Sequence, residues 1–375
     1  MRRFKRVFGL LMLFSMLFLF LCTKDAMAAT VNEMKLDDTG LFIETESTER
    51  FVDKYIKSES NKIIMSLPEV VPNWDDYVFL TDKITFGMSF VLGVVDYYPI
   101  ICEDKVIALV GVVPDRNNMG WTLSTDFSDG LNEISELTTE EDPAELFVRD
   151  GNVYAEINNE EIQLTDIPEV KTNEKNMCEL VDGEEKAVVN VLQKDVRILA
   201  KRKLKKSIHL ASTATKYLTL DRRESQSGNS WCSAYSTAQI LRYNGINTYA
   251  RQLMKWAYPG ISDTELLTKR FTHGLIAYCA QGYGFNVVEY CDRLSFSAIK
   301  SQIDACLPIY IDGSGGGGRT GRHAFVLRGY NDYNKSYSVW NPWNTSYTTV
   351  SNNSSIISVN GGYYDWNYTI YNWQR

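Results

Sequence analysis

The sequence predicts an α+β protein in two parts: a β-rich N-terminal part, and a C-terminal part in which helices precede strands. Three observations point there. From Tyr77 to about Phe127 the chain is rich in Val, Ile, Phe and Tyr and is broken by Gly87, Gly93, Pro114 and Asn117-Asn118, the pattern of several short strands. From Trp231 onward, apolar residues recur first at helical spacing and later in short β-like runs. The two parts also differ in charge: residues 29–206 carry a net −17 and residues 207–375 a net +5, within a chain of −8.

The N-terminus has the three zones of a secretory signal peptide. Arg2, Arg3, Lys5 and Arg6 form a charged start, Val7 to Leu21 is apolar, and Ala26-Met27-Ala28 is a small-x-small cleavage site. The apolar run is short for a membrane span. Leu21 before Cys22 is too bulky for a lipoprotein cleavage site. Secretion into the extracellular medium is expected, without a stable membrane anchor. About 345 residues would remain, room for about two domains. The expected organisation is a signal peptide over 1–28, an acidic domain over 29–206 and a second domain over 207–375.

Within the acidic part, residues 30–65 are polar with weak helical patterning. Val153–Ile157, Asn158-Asn159 and Glu160–Leu164 read as a β-hairpin. Thr138–Phe147 reads as a short helix capped by Thr139, with acids in its first turn. Lys194–Lys206 ends in Lys201-Arg202-Lys203-Leu204-Lys205-Lys206. Such a run is commonly one face of a solvated helix. Here it falls where the charge changes sign, so an exposed, protease-sensitive linker is expected. Opposite charges suggest two units that attract each other before separation; a merely solvated acidic surface explains the balance as well.

In the second part a helix starts near Trp231, with Trp231, Ala234, Tyr235, Ala238 and Leu241 on one face, and ends at Asn244-Gly245. Helical patterns follow at Ala250–Trp256, Asp263–Lys269, His273–Ala280 and Phe296–Ala305. Strands are expected at Pro308–Asp312, Ala324–Tyr330, Ser336–Trp340 and Tyr347–Val350. Seven Cys are spread without a CxxC pair, and His occurs three times, so neither a disulfide framework nor a metal site is indicated. No cofactor is expected.

The chemistry concentrates in Gln226-Ser-Gly-Asn-Ser-Trp231-Cys232-Ser-Ala-Tyr235. Cys232 stands where an apolar helix opens. Downstream come His323 before a β-like run and Asn341 in Trp340-Asn341-Pro342-Trp343, and Gln226 stands 6 residues before the Cys. A helix start and an imidazolium partner would both stabilise a thiolate. His323 would serve as general acid and base, Asn341 would orient its ring, and Gln226 with the Cys232 N–H would receive an oxyanion. Singly, each residue has an ordinary meaning: a small buried thiol, a structural imidazole, an Asn-Pro turn. In this order and spacing, the four fit a papain-like cysteine hydrolase.

The same residues, with His323-Ala324-Phe325-Val326, Val339–Trp343 and the closing run from Ile357 to Tyr371, resemble the staphopain family of secreted, papain-like cysteine proteases. The resemblance covers roughly Asp221 to Trp373. It implies a papain-like catalytic domain (a helical half plus an antiparallel β half), synthesis as a prepro-enzyme, an inhibitory N-terminal prodomain, broad endopeptidase activity, a Gram-positive source and no metal. It makes Cys232 the nucleophile, His323 the base, Asn341 the orienter and Gln226 the oxyanion donor. Upstream, the likeness is one of size, acidity and strand content. Ser233 departs mildly from the small residue expected after the nucleophile. Gly313–Arg322 is glycine-rich, reading as a mobile loop beside the cleft or as an ordinary hairpin connection; it lacks the Lys and spacing of a phosphate loop.

Expected partners are protein or peptide substrates, the chain's own prodomain as intramolecular inhibitor, and a dedicated protein inhibitor; nucleic acid is not expected. A peptidoglycan hydrolase of papain-like fold is the main alternative, followed by a transglutaminase-like acyl transferase and a silent binding protein. No wall-binding repeats favour the first of these, and every catalytic position being filled disfavours the last.

Overall fold

The computed structural model describes residues 50–114, 119–138, 143–165, 183–189, 215–317, 319 and 321–375. The expected signal peptide, Cys22, Cys178, Thr139 and the basic linker lie outside these residues. Among the described residues no helix is long and apolar enough to cross a membrane.

The N-terminal segment opens with α1 (Phe51–Ser66), whose Ile56, Ile63 and Ile64 are fully buried. Tyr98 Oη donates to Asp53 at 2.6 Å and fixes this helix to the sheet below. From Tyr77 several strands were expected. Short 3-10 turns come first, at Trp74–Asp76 and Val78–Leu80, entered through Asn73 at φ 54°, a left-handed value that Asn tolerates. Strands then follow: β1 (Ile84–Phe86), β2 (Phe90–Leu92), β3 (Val95–Cys102), β4 (Lys105–Val112) and β5 (Trp121–Ser124).

After α2 (Ser128–Ser135) comes a smaller sheet of β6 (Ala144–Arg149), β7 (Asn152–Ile157), β8 (Glu160–Gln163) and β9 (Gly183–Val189), in the order β8-β7-β6-β9. The β7–β8 hairpin is the expected one. Asn158 and Asn159 both take positive φ, as its two-residue turn demands. The helix expected over Thr138–Phe147 is absent from the described part of that range, where β6 runs instead. Pro143 disfavours helix just before it. Beyond it, Ala144 and Leu146 turn inward, and Phe147 stacks across the strands on Tyr154 at 5.5 Å.

The C-terminal segment carries β10 (Thr215–Tyr217), α3 (Cys232–Tyr243), α4 (Ala250–Ala257), α5 (Asp263–Leu266), α6 (His273–Gly282), β11 (Val288–Tyr290), α7 (Phe296–Asp304), β12 (Ile309–Gly316), β13 (Arg322–Asn331), β14 (Ser336–Trp340), β15 (Tyr347–Ser351), β16 (Ile356–Val359) and β17 (Gly362–Tyr371). The expected helices and strands are present; β10, β11, β16 and β17 are additional. On α3, Ala234, Ala238 and Leu241 are fully buried. The two alanines let the helix lie close to β12 and β13, and Leu241→Ala would cost about 2–5 kcal/mol. The glycine-rich stretch is a hairpin connection: Gly313 to Gly316 continue β12 and pair with β17, and Gly313 and Ser314 pair with β13 as well. A Cβ on Gly316 would lie 2.4 Å from the tip of the Tyr363 ring, so a larger residue there would make that side chain shift. Cys102, Cys232, Cys279, Cys291 and Cys306 are all free.

The two segments share one sheet. Its order is β1-β3-β4-β5-β15-β14-β13-β12-β17-β11, with every pairing antiparallel, and the joint is Thr349 opposite Leu123 and Val350 opposite Thr122. Around this joint, Asp126 accepts from Asn344 Nδ2 at 2.7 Å, Gly361 N donates to Tyr97 Oη at 3.0 Å, and Asn334 Nδ2 donates to Ser66 Oγ at 2.6 Å.

Arg328 of β13 meets Glu69 of the N-terminal segment at 3.4 Å. Burial raises the Glu69 carboxyl from 4.5 to about 7, with Arg328 opposing. A carboxyl that holds its proton more tightly in the joined state favours that state at low pH. This contribution is full below about 4.5 and lost as pH rises through about 7. The Tm of the intact chain should therefore fall relative to Glu69→Gln across that window. A difference independent of pH would show that Glu69 titrates normally.

Candidate active site

The loop before α3 is built by Asn229. Its side chain donates to Ser227 O at 2.6 Å and accepts from Trp231 N at 3.1 Å, while its backbone carbonyl accepts from Gln226 Nε2 at 2.6 Å. Gln226 N in turn donates to Pro342 O at 2.8 Å, which ties this loop to the segment holding Asn341. Cys232 is the first residue of α3, where unpaired N–H groups gather. Asn229 was not singled out from the sequence, although an Asn beside Gly228 in a pre-helical loop is the usual sign of such side-chain bracing.

His323 lies near the start of β13 and is 1 % exposed. Its Nε2 meets Asn341 Oδ1 at 3.0 Å, and its ring stacks on Trp343 at 3.9 Å with Phe325 and Tyr364 beside it. Asn341 Oδ1 also accepts from Trp343 N at 3.1 Å, so the amide cannot turn away. Because Nε2 is taken by Asn341, Nδ1 is the imidazole nitrogen left for other chemistry.

The electrostatics of the intact chain oppose an ion pair. Cys232 keeps part of its surface open, yet loss of hydration together with the Asp312 carboxylate pushes its thiol up to about 11. The Ala324 N–H and Ser233 pull weakly the other way. Burial pushes His323 down to about 3, with Asn341 opposing and the Arg319 charge assisting. Cys232 and His323 are thus both held neutral, contrary to the low thiol pKa expected from a helix start and an imidazolium.

Arg319 links the site to the N-terminal segment. It is 5 % exposed, donates to Val359 O and Asn360 O at 2.9 Å, and reaches Gly151 O at 3.4 Å. Its guanidinium also lies 5.6 Å from the Trp343 ring that covers His323. The Gln226 amide nitrogen has one proton engaged with Asn229, while Gln226 Oε1 is buried without a partner. The structure therefore places His323 with Asn341, and Gln226 beside the Asn341 segment, with Cys232 at the helix start next to Ala324. In the sequence, Asp312, His273 and Arg322 mark only the ends of expected elements and of the glycine-rich stretch, and none stands out as a site residue.

Residues 220–370 match the model of the Peptidase_C39 like family. Over 161 residues, 40 % of this chain, the sequence is 28 % identical to the extracellular cysteine protease of Staphylococcus epidermidis. That match spans 91 % of one sequence of the relative and 40 % of another. Over 158 residues it is 26 % identical to staphopain A of Staphylococcus aureus, again 40 % of this chain and 41 % of the relative. For the latter two, the match thus spans well under two thirds of the relative's length. Residues 220–370 are thus similar to the Peptidase_C39 like family and to these staphylococcal cysteine proteases.

Proposed function

We propose that the protein is a secreted cysteine endopeptidase made as a zymogen, with a papain-like catalytic domain over 207–375 and an inhibitory prodomain over 29–206. The observation that carries this reading is the His323–Asn341 pair at 3.0 Å, roofed by Trp343, on the strand whose Ala324 N–H meets the thiol of Cys232 at a helix start. In the reaction, His323 Nδ1 takes the Cys232 proton. The thiolate attacks the peptide carbonyl carbon, and the oxyanion is received by the Cys232 N–H and the second amide proton of Gln226. Collapse breaks the C–N bond, and the leaving amine takes the proton from the imidazolium. A water then gives its proton to His323 and its oxygen to the acyl carbon, releasing acid and thiol.

The prodomain reading is supported by the shared sheet, by the Gly151–Arg319–Trp343 chain of contacts ending on His323, and by the opposite net charges of the two segments. Fluorogenic peptides and casein, against purified cell wall, test the assignment. Hydrolysis of the first two, blocked by a thiol alkylator, is expected; activity confined to cell wall would favour the peptidoglycan hydrolase.

Gln226→Ala should lower kcat by roughly 10²-fold or more with little change in KM, because its contact forms only with the oxyanion. A change confined to KM would remove Gln226 from that role.

A further inference from the structure

Three neighbouring strands set Ala324, Asp312 and Tyr368 side by side, since Asp312 pairs with Ala324 of β13 and with Tyr368 of β17. Directly opposed residues share one face of a sheet. The next positions on that face, Tyr310, Val326 and Ile370, belong to the apolar core around α3. A carboxylate in this row is anomalous, because burying a charge costs several kcal/mol unless it is fully partnered.

Asp312 is only half partnered. Its side chain is 4 % exposed. Oδ2 is held twice, by His273 Nε2 at 2.5 Å and by Arg322 Nε at 3.2 Å. Oδ1 is buried with no hydrogen-bond partner. Arg322 turns its remaining nitrogens outward, to Ser314 Oγ at 3.0 Å and Asn367 Oδ1 at 2.8 Å. His273, the first residue of α6, stacks flat on Tyr368 at 3.7 Å and keeps 29 % of its side chain exposed. The location is beside the proposed nucleophile: the strand neighbour of Asp312 is Ala324, whose N–H meets the Cys232 sulfur, and Tyr310 Oη donates to Ser233 Oγ at 3.0 Å.

We propose that Asp312, braced by His273 and Arg322, is the selective wall of a substrate pocket beside Cys232, which takes a Lys or Arg side chain next to the bond that is cut. This rests on the cysteine-endopeptidase reading above. A cationic side chain would give Oδ1 the charge-assisted bond it lacks. An apolar side chain would leave Oδ1 desolvated and unpaired, the kind of mismatch that separates substrates strongly. The chain itself offers such a substrate, since five of the six residues Lys201–Lys206 are basic.

The test uses the full-length protein after limited trypsin cleavage and quenching with a protein inhibitor of trypsin. Fluorogenic peptides differing only in Lys, Arg, Leu or Phe at each position before the scissile bond are compared by kcat/KM. In parallel, alkylation of Cys232 by Lys- and Leu-bearing peptidyl chloromethyl ketones is timed, which needs binding and a thiolate but no turnover. At one position, a preference of about tenfold or more for the basic side chain is expected in both assays. Asp312→Asn should reduce it below about twofold while Leu peptides still react, and His273→Gln, which leaves the carboxylate in place, should reduce it partially. An apolar preference at every position, or a basic preference unchanged in Asp312→Asn, would overturn the proposal. Selective alkylation without hydrolysis would uphold the pocket and instead defeat the endopeptidase reading.

Discussion

At pH 5, Cys232 of the proteolytically processed chain should be alkylated by iodoacetamide on the order of 10³-fold faster than Cys232 of the intact chain. The intact thiol is pushed up to about 11, so its rate should climb about tenfold per pH unit and level only near that value. On the zymogen reading, cleavage in the region 200–216 would free the proposed catalytic segment from the contacts that Arg319, Asn344 and Gly361 make with the upstream segment. Loss of the Arg319 contacts would let the Trp343 roof over His323 loosen and water return, the imidazole would rise from about 3, and an imidazolium beside a helix start would stabilise the thiolate. A low-pKa thiolate is a weaker nucleophile, which removes part of the gain and is already allowed for in the figure. Peptide hydrolysis should rise in the same step, from near zero. Equal alkylation profiles and equal activity before and after limited trypsin digestion would refute the zymogen reading while leaving the protease assignment open. Mass spectrometry of the secreted species, wild type beside Cys232→Ala, would locate the natural cut and show whether the thiol makes it.

In the processed chain, Cys232→Ala and His323→Ala should each abolish peptide hydrolysis, with losses on the order of 10⁴-fold or more. On the proposed mechanism, one removes the atom that would bond to the substrate, the other the group that would move the proton. Asn341→Ala should leave a measurable remnant, because the ring loses the 3.0 Å hydrogen bond at Nε2 but keeps the Trp343 stack. Losses in residues acting as a unit do not add, so the Cys232/His323 double variant should be no worse than either single one. Substantial activity in Cys232→Ala would exclude it as the nucleophile; an Asn341→Ala chain as dead as His323→Ala would assign Asn341 more than orientation.

The local parts of this architecture were legible in the sequence. The helix after Trp231 announces itself by apolar spacing, and the β7–β8 hairpin by two adjacent Asn residues. What failed was either ambiguous locally or decided far away. Thr138–Phe147 offers acids and a capping Thr, but Pro143 interrupts a helix there and the alternation beyond it belongs to a strand whose partners lie at 152–157 and 183–189. Gly313–Gly316 looks like a flexible loop until β17 is placed against it. The pairing of Leu123 with Thr349 joins positions more than two hundred residues apart and leaves no trace in either neighbourhood. At the site, the residue types were readable but their protonation was not. The helix start and the imidazole argue for a thiolate, and only the packing of Trp343, Tyr364 and Asp312 around them reverses the sign. Asp312 itself escaped notice because one carboxylate after Ile309-Tyr310-Ile311 is an ordinary strand end until its neighbours are known.

The joint between β5 and β15 would have a consequence for the life of the molecule if the proposed processing removes the upstream strands. Thr348, Thr349, Val350 and Ser351 are at most 2 % exposed while β5 lies beside them. Were the upstream strands to leave, this short run, β-branched at Thr348, Thr349 and Val350, would become a bare sheet border, its outward amides and carbonyls answered only by water. Such borders recruit further strands, from another copy or from any extended peptide. On the proposed zymogen reading, the upstream segment would serve the colloidal fate of the processed chain as well as its silence: while attached, it is the strand that keeps other strands away.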